Sequence, residues 1–197
     1  MEPFHDHWIF SKHIFRYLRG TIHHRLKYDG KEVKLTGFTS LDWGGSETDG
    51  RSTTGGCFSL RSTTISWMSR KHDPVALSSD VAEYVAACEV GKEVVWLRKL
   101  LSDLFGKLRD PTMINCDNQS NIKMSKDPVF HARTKHINNK YHYIRSLVKY
   151  GVEQLQYIPT NEQVVDVLTK SLPNKKFEYF RSILGLVDIT DLVDKER

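Results

Sequence analysis

From residue 80 to residue 105 the sequence keeps one helical period without a break. Ala82, Val85, Ala86, Val90, Val94, Leu97, Leu101 and Leu104 recur at the three-and-four spacing of a single buried face. Ser78 or Ser79 can cap its start, and Gly106 suits its end. Gly91 inside such a helix is unfavourable unless a neighbour packs closely there. Next comes 112–116, TMINC, a short apolar run of strand length that stops at Asp117. A helix of this length between two strands is a crossover, and crossovers place their strands parallel. The stretch therefore requires a layered α/β arrangement.

The remaining segments fit around that unit. Residues 34–41, KLTGFTSL, read as a strand closed by Asp42, Trp43, Gly44 and Gly45. Residues 46–56 are rich in Gly, Ser, Thr and charge and read as a surface loop. Residues 57–61 and 64–68 read as two further strands, making an antiparallel meander with the first. A connector containing Pro74 covers 69–77. Residues 118–126 read as a short helix, broken by Asp127-Pro128. Then follow a basic loop (131–135), a second long helix (137–150), a last strand (153–158) and helices over 161–172 and 174–184. The tail after Gly185 shows little pattern. The expected fold is a mixed five-stranded sheet, three antiparallel strands then parallel additions, with helices on both faces. In such sheets the functional crevice lies at the carboxyl ends of the strands.

A length of 197 residues suits one packed domain with an appendage. The appendage is the stretch to about residue 29, where Trp8, Ile14, Phe15 and Leu18 fall at helical spacing and call for a partner surface. A net charge of +5 favours an anionic partner. No stretch approaches the roughly 20 apolar residues of a membrane span, so no membrane partner is expected. The start lacks the apolar core of a signal peptide. The three cysteines form no C-x-x-C pair. They suit reduced thiols in a cytoplasmic or nuclear compartment and give no zinc signature.

Three acids stand in unusual settings. Asp117 falls at the end of a core strand, with Asn118 to Ser120 able to cap the next helix. Glu83 lies in the first turn of the long helix among apolar neighbours. Asp166 sits among Val164, Val165, Val167 and Leu168. Converged carboxylates repel unless divalent cations neutralise them. Magnesium suits such oxygen ligands, and paired ions about 3.5–4 Å apart are the usual arrangement for phosphodiester hydrolysis.

Around these acids the chain resembles the ribonuclease H domain of Ty1/copia-type retrotransposon Pol polyproteins, those of plant copia-like elements in particular. The matching stretches are GFTSLDWGG (37–45), RSTTGGCF (51–58), ISWMSRK (65–71), VALSSDVAEYVAACEVGKEVVWLRKLL (75–101), INCDNQSNIKMSKDPVFHARTKHINNKYHYIRSLV (114–148) and YIPTNEQVVDVLTKSL (157–172). The resemblance implies residues 1–33 as the end of a reverse transcriptase region, 34–172 as the ribonuclease H-like domain and 173–197 as a C-terminal helix and tail. It implies hydrolysis of RNA in an RNA–DNA hybrid by two Mg2+ or Mn2+ ions, with Glu83, Asp117 and Asp166 as catalytic metal ligands. The family's first catalytic Asp is absent: in Phe38-Thr39-Ser40-Leu41-Asp42-Trp43 that place is held by Ser40. Asp42 shares a face with it but lies about 6.6 Å further along a strand. A neutral hydroxyl is a poor ligand for the position both ions share, so impaired cleavage is expected; the alternatives are a catalytically inactive nucleic-acid-binding or assembly module, or a decayed element fragment without function.

Between 118 and 150 the cations are Lys123, Lys126, Arg133, Lys135, Lys140, Arg145 and Lys149, against the lone acid Asp127. His131, Arg133, Lys135 and His136 are the expected phosphate-tracking residues. Asn118 and Gln119, beside Asp117, are expected to read 2′-hydroxyls. The partners expected are an RNA–DNA hybrid and a reverse transcriptase module supplied by another chain.

Overall fold

The computed structural model of the chain describes residues 4–28, 33–45, 50–72, 79–106, 108–126 and 135–190, the side chains of 79–81, 121, 124 and 135–141 excepted. Its elements in order are α1 (His5–Gly20), β1 (His24–Leu26), β2 (Leu35–Asp42), β3 (Thr53–Leu60), β4 (Thr63–Lys71), α2 (Ser79–Phe105), β5 (Thr112–Cys116), α3 (Gln119–Lys126), α4 (Lys135–Lys149), β6 (Glu153–Tyr157), α5 (Asn174–Ile183) and β7 (Leu186–Asp188). Two 3-10 segments, Thr160–Glu162 and Val164–Leu168, lie between β6 and α5.

The central sheet runs β4-β3-β2-β5-β6. The first three strands are antiparallel, and β5 and β6 add in parallel to β2, as the crossover argument requires. The sheet separates two apolar layers. On one face Leu35, Phe58, Met68, Ile114 and Leu155 meet Val90, Val94, Leu97 and Leu101 of α2 and Ile144 of α4. On the other, Cys57 and Phe38 meet Val164, Val165 and Phe180. Burying each large side chain in these layers contributes about 1.5–3 kcal/mol. Gly91 is the point of close approach: a Cβ there would stand 3.0 Å from Leu147 Cδ1 and 3.3 Å from Glu153 Oε2.

Several expectations are corrected. The loop expected over 46–56 ends early, because β3 already begins at Thr53. Gly55 and Gly56 are strand residues kept small by tight neighbours, and a Cβ on Gly56 would meet both Met68 and Val90 at 2.9 Å. The helix expected over 161–172 is two short 3-10 segments. The helix face of α2 leaves the core after Leu101, and Leu104 is 64% exposed. The tail after Gly185 contains β7, which pairs antiparallel with β1. Strands of three residues are too short to show alternation. The N-terminal helix forms as expected, but none of its residues is buried. One aromatic contact, Tyr17 with Phe177 at 5.9 Å between ring centres, ties it to α5.

Candidate active site

The strand register sets two of the expected site residues side by side. Thr39 pairs with Cys116 in the parallel β2–β5 ladder, so Ser40 and Asp117 follow one step on, at the carboxyl ends of adjacent strands. In the antiparallel direction Ser40 pairs with Gly55 of β3. A Cβ on Gly55 would stand 2.6 Å from Thr169 Cγ2 and 3.3 Å from the Val165 carbonyl oxygen. Glycine thus lets the 3-10 segment Val164–Leu168 lie against the sheet. Two hydrogen bonds hold it there: Gln163 Nε2 donates to the Thr39 carbonyl at 2.9 Å, and Ser69 Oγ donates to the Leu168 carbonyl at 2.7 Å.

The result is a buried pair. Asp166 is fully buried and Ser40 is 2% exposed. Ser40 Oγ donates to Asp166 Oδ1 at 3.2 Å. The other carboxylate oxygen, Oδ2, meets no aligned hydrogen-bond donor and is paired by charge instead. Lys170 Nζ lies 3.0 Å from it and Lys176 Nζ 4.0 Å. Both lysine side chains keep about a third of their surface exposed (37% and 34%), so they bridge the buried carboxylate to solvent.

Glu83 and Asp117 stand around Cys116, at the strand ends beside Ser40. Both are half-buried, and both act on Cys116. Burial pushes that thiol up to about 12, with a smaller opposing effect from its hydrogen bond to the Asn118 backbone and further upward contributions from Glu83 and Asp117. Cys116 pairs with Thr39, so these acids flank the same strand ends from which Ser40 reaches Asp166. Among the described residues, no group of three or more His, Cys, Asp or Glu side chains stands close enough to hold a metal ion. For two shared ions the donor set does not fit: Ser40 offers a neutral hydroxyl, and the charge of Asp166 already faces two ammonium groups.

The other expected residues divide. The Asp42 carboxylate fills the space where a Cβ at Gly45 would stand, so it folds onto the turn that ends β2. Asn118 Oδ1 accepts from the Ser120 amide at 2.8 Å and caps α3. Gln119 is exposed at the first position of that helix. His131 and Arg133 lie outside the described residues; Lys135 and His136 begin α4, with side chains outside the described set. Lys170 and Lys176 were not among the residues expected at the site. The signal for Lys170 was its spacing of four from Asp166, the reach of a helical ion pair.

No protein-family model matches the chain. Two plant proteins match nearly all of it. The retrovirus-related Pol polyprotein from transposon TNT 1-94 of Nicotiana tabacum is 41% identical over 94% of this chain, and that from transposon RE2 of Arabidopsis thaliana is 36% identical over 95%. Nearly the whole chain is homologous to a segment of plant Ty1/copia-type retrotransposon Pol polyproteins. It spans only 14% and 13% of the length of those two Pol polyproteins. Among solved structures, this Pol segment is similar to LC11-RNase H1 isolated from compost, with a TM-score of 0.52 and 15% identity over 75% of this chain and 98% of that one. It is also similar to LC11-RNase H1 in complex with an RNA/DNA hybrid, with a TM-score of 0.50 and 16% identity over 69% and 94%. The Pol segment therefore has the ribonuclease H fold. No helix among the described residues is long and apolar enough to cross a membrane.

Proposed function

We propose that this Pol segment is a ribonuclease H-type domain whose hybrid-cleaving centre is impaired and whose retained capacity is to hold an RNA–DNA hybrid. One observation carries the reading: Ser40, at the position the resemblance assigns to the first catalytic Asp, is a buried hydroxyl donating to Asp166. Glu83, Asp117 and Asp166 are the acids that the family pattern would direct to Mg2+ or Mn2+, and Ser40 removes the anionic oxygen both ions would share. Asp42 does not stand in for it, because its carboxylate is committed to the Gly45 turn.

Cleavage of a labelled hybrid in Mg2+ or Mn2+ tests this. Ser40→Asp is expected to raise the rate about a thousandfold if it restores roughly 4 kcal/mol of transition-state stabilisation. Asp42→Asn is expected to leave the rate unchanged. Robust wild-type cleavage that Asp42→Asn abolishes would refute the reading.

The exposed N-terminal helix favours a second role beside this one. Trp8, Phe15 and Leu18 are each more than half exposed, on a helix without a buried side chain. That face suits a reverse transcriptase module on another chain. Replacing the three residues by Asp should leave the ribonuclease H-type domain folded and abolish co-purification with such a module. Unchanged co-purification would remove α1 from the contact.

A further inference from the structure

We propose that Lys170 and Lys176, held beside Ser40 by the buried Asp166 carboxylate, form a metal-independent site for a nucleic-acid phosphate. The inference rests on the hybrid-holding function proposed above and names residues that the family pattern does not assign to it.

The charge count around Asp166 is the starting point. Within 4.0 Å of its Oδ2 stand two ammonium groups, and its Oδ1 is met by a neutral hydroxyl. Two positive charges against one negative leave one unit of positive charge within the Asp166 cluster itself, beside the acids Glu83 and Asp117 around Cys116. An acid at position 40, as in the family pattern, would have cancelled it. Here the excess remains, on two side chains that are anchored at one side and open to solvent at the other.

Anchoring matters for affinity. A lysine ordinarily loses rotamer freedom when it grips a phosphate. Here Lys170 is already fixed by a 3.0 Å ion pair. Lys176 rests over the Phe180 ring, 5.1 Å from its centre. It also lies in the first turn of α5, where the helix N-terminus adds partial positive charge. The 3-10 segment that carries Asp166 is pinned to the sheet by Gln163 and Ser69, so the site is built before ligand arrives. A phosphodiester oxygen can take both ammonium groups while they keep Asp166, completing a charge-balanced cluster without a metal ion.

The experiment is hybrid binding by fluorescence anisotropy in excess EDTA, over a range of salt. Wild-type protein should bind. Lys176→Ala is chosen because Lys176 is the more distant partner of Asp166. It should weaken binding on the order of tenfold and lower the slope of log affinity against log salt by about one. Ser40→Asp should also weaken binding in EDTA, because it cancels the excess charge. Thermal melting of each variant, with and without millimolar inorganic phosphate, separates loss of the site from loss of the fold. Wild type should gain stability from phosphate, and Lys176→Ala should not.

Binding in EDTA that neither substitution alters would overturn the proposal while leaving the hybrid-holding reading intact. Binding that appears only with Mg2+ would also overturn it, since a metal would then carry the phosphate. Failure to bind hybrid under any condition would sink both. Stabilisation by inorganic phosphate without hybrid binding would mark a free-anion site and overturn the assignment to a nucleic-acid backbone.

Discussion

Among the described residues two acids are buried, and they solve the same problem in opposite ways. Asp166 is fully buried on the α5 side of the sheet and is met by Lys170, Lys176 and the Ser40 hydroxyl. Glu153 begins β6 and is 2% exposed, close to Gly91 of α2. Neither of its carboxylate oxygens has a hydrogen-bond partner among the described residues. Burial pushes Glu153 up to about 8, so it is largely protonated at neutral pH. Burying an unpaired carboxylate is so unfavourable that the group gives up its charge. The difference teaches which of the two sites can present charge to a ligand. The Asp166 cluster keeps full charges and points two of them to solvent. The Glu153 site keeps none at neutral pH and behaves as part of the apolar core.

The strongest way to break the comparison is to make Asp166 resemble Glu153. Lys170→Ala removes the nearer ammonium and leaves the buried carboxylate with the Ser40 hydroxyl and one ammonium group at 4.0 Å. Deleting one partner of a buried pair costs about 3–5 kcal/mol. Because a third of Lys170 is exposed and water can enter behind it, the lower end, about 3 kcal/mol, is expected in urea unfolding at pH 7. A change below 0.5 kcal/mol would show that Lys170 does not hold the carboxylate.

The contrast between the two acids was only half legible in the sequence. The parallel core was plain, because 112–116 is an apolar run that stops at Asp117, and its strand covers Thr112–Cys116. The long helix was equally plain from its period. What sequence could not reveal was which acids lose their water. Glu153 looked like an ordinary strand-start residue, and its carboxylate lies close to Gly91 on another element, α2. Asp166 drew notice from its valine neighbours, yet its partners Ser40 and Lys176 are 126 and 10 residues away. Gly55 and Gly56 read as loop because glycine is a turn residue far more often than a strand residue. Only the 3-10 segment and Met68 pressing on them explains their place in β3.

The next test makes Glu153 permanently neutral. Its carboxyl is raised from an ordinary 4.5 to about 8 in the folded chain. Between those values the folded state holds a proton that the unfolded state has released, so stability falls as pH rises. One proton corresponds to about 1.4 kcal/mol per pH unit, or about 2–3 kcal/mol between pH 5.5 and pH 7.5. Glu153→Gln mimics the protonated acid and should remove that component of the slope. It should match the wild type near pH 5 and exceed it by about 3 kcal/mol at pH 7.5. The Tyr143 phenol, raised first by burial and next by Glu153, should titrate lower in the variant. Parallel stability curves for the two proteins would mean that Glu153 is hydrated and ionised after all.

The smallest expected effect is the one that separates geometry from charge. Gly55 pairs with Ser40 and faces the segment that carries Asp166. Gly55→Ala would press a methyl group against Thr169 Cγ2 at 2.6 Å and the Val165 carbonyl at 3.3 Å. Thr169 can turn its side chain away, but the carbonyl is backbone and must move with its segment. Overpacking of this kind costs about 1–3 kcal/mol, and the partial relief puts the expectation near 1 kcal/mol. The charges are untouched, so a purely electrostatic account of the cluster predicts no change in phosphate or hybrid binding. If Asp166 instead depends on the close approach of its segment to position the lysines, Gly55→Ala should weaken hybrid binding in EDTA and lose stabilisation by phosphate. A smaller substitution effect at Gly50, where a Cβ would meet nothing within 4 Å but the backbone angle is positive (φ 64°), controls for strain unrelated to the cluster. Equal binding by the Gly55 and Gly50 variants would show that the lysines find their phosphate without the segment being held against the sheet.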